Sequence, residues 1–207
     1  MCIRDRILII SRLYLLAKLL NNKLKIISGK YKSRIITIPN KSNLRPTKAF
    51  IRESLFNIVN LNICNNSLDL FSGSGILSIE ALSRGVDKAI LVEQDSDLVK
   101  CIKQNLILLD DNNATVFNKK VSKFLKDNDS NAFDVIFLDP PYGTNLLDET
   151  LNFLKDYEYL NHNKYIYFET SKQDKNNYLK YLTNTHDVLK NLSIGDVSYT
   201  IAINKKL

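Results

Sequence analysis

Phe133-Asp134-Val135-Ile136-Phe137-Leu138-Asp139-Pro140-Pro141-Tyr142 is an apolar run of β-type residues that stops abruptly in Asp-Pro-Pro-Tyr. An apolar run of this length, bounded by turn residues, reads as a strand buried in a parallel sheet. The two prolines cannot continue it, because neither carries the N–H that a ladder needs. A carboxylate, a rigid turn and an aromatic ring are therefore placed together at the carboxyl end of a central strand. In open α/β sheets that end is where ligands bind.

Working outward, strands and helices alternate. A short strand over 67–71 leads through Ser72-Gly73-Ser74-Gly75 into a helix over 76–84, closed by Gly85. A second strand over 88–92 ends in Glu93, and Asp95 caps a helix over 96–108. A third strand over 114–117 precedes a helical stretch over 121–126. Beyond Tyr142 come a helix over 146–154, a strand over 165–168 and a short helix over 176–182. Two strands over 187–192 and 197–203 then flank a Gly195-Asp196 hairpin turn. This order predicts an α/β fold: a doubly wound, mostly parallel sheet with helices on both faces and an antiparallel edge.

Upstream, strands over 24–28 and 34–38 flank Gly29-Lys30-Tyr31-Lys32, a small hairpin studded with cations. After a polar loop, Arg45-Pro46-Thr47 leads into a helix with Thr47 as its N-cap. Residues 1–22 are apolar stretches broken by Arg12 and Lys18, too short and too charged for a spanning helix, and are read as an extension of the domain or a translated leader not native to it. The expected division is this extension, a basic hairpin and loop over 23–45, and the main domain over 46–207.

The 207 residues, 44% hydrophobic and 25% charged, suit one ordinary globular domain. Residues 1–52 hold thirteen Lys or Arg and a single acid, Asp5, whereas the whole chain nets only +7. A basic arm on a mildly acidic body is a polyanion-binding arrangement, RNA or DNA first. Lys30, Tyr31, Lys32, Arg34, Arg45, Thr47 and Arg52 are the candidate contacts, cations for phosphates and Tyr31 to stack a base. The bland alternative is an edge hairpin protected by lysines. Three cysteines without paired spacing point to reduced thiols and a cytoplasmic protein. With only His162 and His186, neither near a Cys, no metal site is expected.

The residue types at the strand ends suit a narrow chemistry. An exocyclic amino group on a base is a poor nucleophile, because its lone pair is delocalised into the ring. Asp139 and the Pro140 carbonyl are two acceptors that can hold such an NH2, with the fixed φ of Pro140 and Pro141 keeping them stiff. Tyr142 can stack on the base. The tetrapeptide alone is equally consistent with a strand end and a surface turn. Asp69-Leu70-Phe71-Ser72-Gly73-Ser74-Gly75 adds a turn whose glycines admit a ligand close to the backbone, and Glu93 lies twenty residues after Gly73, placed for ribose hydroxyls. The third small residue of a dinucleotide fingerprint is missing. Asp69 beside the turn favours a cationic ligand, and S-adenosylmethionine carries a sulfonium and an ammonium.

Arg45-Pro46-Thr47, Arg52-Glu53-Ser54-Leu55-Phe56-Asn57, Leu68-Asp69-Leu70-Phe71-Ser72-Gly73-Ser74-Gly75, Glu80-Ala81-Leu82-Ser83-Arg84-Gly85 and Leu138-Asp139-Pro140-Pro141-Tyr142 occur in that order. Through them residues 24–203 resemble the RsmD family, bacterial 16S ribosomal RNA guanine-N2 methyltransferases. The resemblance implies a class I S-adenosylmethionine-dependent methyltransferase fold and direct methyl transfer to guanine N2 in small-subunit RNA. It implies Asp69, Gly73, Gly75 and Glu93 around the cofactor, with Phe71, Ser74 and Asn118 as further candidates there, and Asp139, Pro140, Pro141 and Tyr142 at the target base. The partner would be 16S rRNA or the small ribosomal subunit, with no membrane, and the protein a monomer. Ser72 and Ser78 stand where the family often has Ala and Gly. Asn118-Lys119-Lys120-Val121 offers no acid for the adenine amino group, which leaves Asn118 or a backbone group for that contact. Two rival readings are a DNA adenine-N6 methyltransferase, for which 1–52 is too short a target-recognition domain, and a non-catalytic RNA-binding assembly factor, against which the intact Gly73, Gly75, Glu93 and Asp139 argue.

Overall fold

The computed structural model describes residues 22–39, 47–128 and 133–207. Residues 1–21 of the extension, the loop after the hairpin and Arg45 lie outside the described residues.

The hairpin is formed by β1 (Asn22–Lys25) and β2 (Ile35–Ile38), paired antiparallel. Helix α1 (Ala49–Ile58) follows. Strands β3 (Asn66–Asp69), β4 (Lys88–Glu93), β5 (Ala114–Asn118), β6 (Val135–Leu138) and β7 (Tyr165–Ser171) are joined by α2 (Ile76–Ser83), α3 (Ser96–Leu109), α4 (Val121–Asp127), α5 (Leu146–Asp156) and the short α6 (Tyr159–His162). The chain closes with β8 (His186–Ile194) and β9 (Val197–Asn204). The seven strands from β3 onward make one sheet in the order β5-β4-β3-β6-β7-β9-β8. All neighbours from β5 to β7 pair parallel, and β9 pairs antiparallel with both β7 and β8. The expected hairpin is present, but its second strand is inserted inside the first, so the antiparallel strand is one in from the edge.

Period-two alternation places successive residues of β6 on opposite faces. Ile136 and Leu138 join Leu68, Phe168 and the α5 residues Leu147, Leu151 and Leu154. Val135 and Phe137 join Tyr167, Tyr199, the α1 residues Ile51 and Leu55, and Leu77 and Ala81 of α2. A third cluster seats the hairpin on the domain, with Ile26, Tyr31 and Ile36 against Ile79 and Leu82 of α2 and Ile102 and Leu106 of α3.

Three local readings differ. Thr47 does not cap α1: Lys48 holds the N-cap position without a side-chain bond, and the Thr47 hydroxyl is used elsewhere. The stretch 176–182 holds only a 3-10 turn, Leu179–Tyr181. The hairpin strands are shorter than expected, ending before Ile26 and beginning at Ile35. Asp95 does cap α3, accepting from the Asp97 and Leu98 N–H groups. No helix among the described residues is long and apolar enough to cross a membrane.

Candidate active site

The chain runs outward from β3 through β4 and β5, then returns to the other side of β3 as β6. The crevice at the carboxyl ends of β3 and β6 is therefore a topological switch point, the ligand position of such sheets. Asp69 ends β3 and is paired in register with Phe137, two residues before Asp139.

Asp69 is buried; its Oδ2 accepts a hydrogen bond from Ser78 Oγ at 3.1 Å, and its Oδ1 has no partner. Burial pushes its pKa up to about 7, with the Glu93 charge adding and the Ser78 bond opposing. The following turn is left-handed at Gly73 (φ 51°) and Gly75 (φ 75°), a region that side chains rarely adopt. Gly75 has a second constraint, since a Cβ there would lie 3.1 Å from Ile102. Glu93 at the end of β4 braces the turn: Oε2 accepts from the Gly73 N–H and Oε1 from the Asp95 N–H, each at 2.8 Å. Asn118 lies beside Glu93 at the end of β5. Its Nδ2 donates to the Glu93 and Gln94 carbonyls, both at 3.0 Å. The exposed side chain is thus oriented by its nitrogen, and its oxygen is left for a ligand's donor. Ser74 is buried, and its Oγ accepts from the Ile76 N–H. Phe71 packs against the core under the turn.

On the β6 side, Thr47 Oγ1 donates to Asp139 Oδ2 at 3.3 Å. Glu169, on β7 directly after Phe168, stands beside Asp139 because Leu138 and Phe168 are in register. It is buried, with Oε1 accepting from Tyr167 Oη at 2.5 Å and Oε2 from Tyr142 Oη at 3.1 Å. The Tyr142 ring stays about one-third exposed at the mouth of the crevice, tied at its far end to Glu169. Burial holds the Asp139 carboxyl well above the usual range, reinforced by the Glu169 and Asp69 charges and opposed by Thr47. Glu169 is also raised by burial, partly offset by bonds from Tyr167, Thr47 and Tyr142.

A crevice where carboxyl groups are pushed toward their neutral forms, one with an orphaned oxygen, gains stability from a cation. The residues present therefore fit S-adenosylmethionine, whose sulfonium and ammonium are the charges they lack. Among the described residues no group of three or more His, Cys, Asp or Glu is placed to hold a metal ion.

The family described as Conserved hypothetical protein 95 matches residues 24–202. Ribosomal RNA small subunit methyltransferase D of Buchnera aphidicola (subspecies Acyrthosiphon pisum) is 38% identical over 154 residues, 74% of this chain and 81% of that one. The protein of the same name from Haemophilus influenzae is 35% identical over 188 residues, 88% of this chain and 94% of that one. A solved structure of yhhF from Escherichia coli superposes with a TM-score of 0.76 at 31% identity, covering 88% of this chain and 98% of that one.

The chain belongs to the RsmD family. Its fold is the class I methyltransferase fold, with the additional N-terminal hairpin.

For a member of the RsmD family, the basic hairpin invites an RNA-binding reading, and there the structure redistributes the expected residues. Tyr31 is buried and cannot stack a base: Oη donates to Asp111 Oδ2 at 2.7 Å and its N–H bonds Ser83 Oγ at 2.9 Å. Lys30 pairs with the same Asp111 at 3.3 Å, and Arg34 donates to the Leu108 carbonyl at 2.6 Å. These three fasten the hairpin to α2 and α3. Thr47 is buried against Asp139 and belongs to the wall of the crevice rather than to an RNA surface. Arg52 is also buried, with Nη2 donating to the Lys25 carbonyl. Lys32 remains exposed. Glu169 and Ser78, which complete the two carboxyl sites, carry no role in the sequence reading. Glu169 follows the apolar run Tyr165–Phe168, but chain order alone does not place that strand beside the Asp139 strand.

Proposed function

We propose that this RsmD-family protein methylates the N2 amino group of a guanine in 16S ribosomal RNA, with S-adenosylmethionine as donor. The family supports the reaction class and the RNA. The observation that carries the amino-group chemistry is Asp139-Pro140 at the switch point, facing Asp69 across the β3–β6 pair.

When bound, S-adenosylmethionine supplies a methyl group made electrophilic by its sulfonium. Asp69, Glu93, Asn118 and the turn 72–75 are the residues that would hold it, with Phe71 supporting the turn from below. Asp139 and the Pro140 carbonyl accept hydrogen bonds from the base NH2 and fix its lone pair in line with the donor. Asp139 does this in its ionised form, which the Thr47 hydrogen bond favours. Pro140 and Pro141 keep the acceptors rigid, and Tyr142, held through its hydroxyl by Glu169, stacks on the base. The N2–CH3 bond forms as the S–CH3 bond breaks, the neutral thioether leaves, and the proton lost from N2 passes to the Asp139 carboxylate that holds it; catalysis is then positioning and preorganised acceptors, with no covalent enzyme intermediate. Residues 46–207 carry the chemistry, 23–45 assist RNA binding, and the protein works as a cytoplasmic monomer.

The Asp139→Ala variant tests this assignment. It should bind S-adenosylmethionine as the wild type does in calorimetry, yet lose at least about a hundredfold in methyl transfer to small ribosomal subunits lacking the modification. Transfer within a few-fold of wild type would remove Asp139 from its role.

A further inference from the structure

Between the hairpin and the start of α1 lies a cavity of about 600 Å³, separate from the turn that fits the cofactor. Lys23, Lys25, Lys32 and Lys48 line it together with Arg52, and no acid is among the described residues of its wall. The lysines are exposed at its mouth, whereas Arg52 is 2% exposed at its base. Two of the three Arg52 nitrogens, Nε and Nη1, are buried without a hydrogen-bond partner. A guanidinium left so loses hydration without replacement, a cost that a bound acceptor removes. Glu80 lies close enough to Arg52 to interact electrostatically, but it is shared with Arg84 at 3.4 Å and already accepts from the Ile27 N–H at 2.7 Å. Two guanidinium groups share one carboxylate, and the floor of the cavity stays net positive. Leu24 and Ile27, both half-buried, give the same cavity an apolar side.

The cavity adjoins the crevice at Thr47 and Lys48, the latter near enough to Glu169 to act on its charge. Thr47 lines it, and the Thr47 hydroxyl is 3.3 Å from Asp139. Its volume is that of a small-ligand pocket, enough for one nucleotide unit. We propose that this cavity receives the nucleotide adjoining the target guanine, its phosphodiester held by Arg52, Lys25 and Lys48 and its sugar set against Leu24 and Ile27. The inference rests on the RNA-methyltransferase reading above and adds where the strand is gripped. The cavity binds backbone, so it positions the guanine without reading the neighbouring base.

The test is equilibrium binding of the full chain to a short single-stranded RNA with one guanine among uridines. A second strand carries neutral methylphosphonates on both sides of that guanine. The wild type should bind the neutralised strand about tenfold more weakly, and its salt dependence should fall by about one counterion per phosphate removed. The Lys25→Gln/Lys48→Gln double variant, altered only at exposed positions, should bind the ordinary strand about tenfold more weakly and show little further loss on the neutralised one. Arg52→Met should behave alike; should it fail to fold, the lysine pair decides. Equal losses from neutralisation in wild type and double variant, or no loss in either, would overturn the proposal. Because binding is read without turnover, the two readings fail separately. A wild type that grips the phosphates as described yet methylates no ribosomal RNA would count against the function and leave the cavity assignment standing.

Discussion

Asp139 sits where burial, Glu169 and Asp69 all favour its neutral form, and the Thr47 hydroxyl is the contact that favours the charged one. Thr47→Val keeps the side-chain volume and removes the donor. Its expected effect is a further rise in the Asp139 pKa, so the ascending limb of the pH–rate profile should move to higher pH and turnover at neutral pH should fall about tenfold. An unshifted profile would mean that the hydroxyl does not tune Asp139. Asp69 supports a second prediction. Its pKa is pushed up to about 7 in the folded chain against an ordinary 3.8, so the folded state keeps a proton that the unfolded chain releases. The stability this contributes is full below the ordinary value and is lost as pH rises through about 7. His186, held at about 4 by burial, works oppositely, gaining stability as pH rises toward its ordinary 6.5. Asp69→Asn separates the two: without cofactor, the wild-type Tm should fall relative to the variant between about pH 4 and 7. Parallel curves for the two proteins would contradict the buried, partly protonated carboxyl. Asp139 and Asp69 were legible in the sequence because each ends an apolar strand run. Glu169 was not, because its proximity to Asp139 depends on β6 and β7 being neighbours, and chain order alone does not show which strand ends meet.

The hairpin is the element whose role changes most between sequence and structure. Its composition marks it as basic and its Gly29 as a turn, but composition does not say which face meets the domain. The turn is docked on the end of α2: the Lys30 N–H bonds the Ser83 carbonyl at 2.7 Å, and Ser83 Oγ donates to the Ser28 carbonyl at 2.5 Å. Gly29, at φ 85°, is packed so closely that a Cβ would fall 1.8 Å from the Ser83 carbonyl oxygen. Gly29→Ala should therefore destabilise the protein by about 2–3 kcal/mol, read from urea unfolding, by forcing the hairpin off α2. A loss below about 0.5 kcal/mol, the range of ordinary surface changes, would show that the docking is dispensable. Docking explains why Lys30, Tyr31 and Arg34 are spent on the protein itself, leaving Lys23, Lys25 and Lys32 on the cavity side. Thr47 was misread for a related reason. A Thr two residues before a helix resembles a cap, and only the packing of α1 over the switch point turns its hydroxyl toward Asp139.

Over the whole molecule, alternating strands and helices made the doubly wound sheet readable, since each helix must cover a face of the sheet that its flanking strands leave apolar. The final hairpin was readable as a hairpin, but not its insertion of β9 between β7 and β8. Polarity explains the outcome: β9 is almost wholly buried, whereas Asp187, Lys190 and Asn191 suit β8 to an exposed edge. The switch point and the acids at its strand ends support the proposal that a guanine amino group of 16S rRNA is presented at Asp139 to a cationic methyl donor. The most direct measurement is to incubate the wild-type protein with methyl-labelled S-adenosylmethionine and small ribosomal subunits lacking the modification, then digest the RNA to nucleosides. Label in N2-methylguanosine is the predicted result. Label in another nucleoside, in duplex DNA as N6-methyladenine, or nowhere despite tight RNA binding, would contradict it.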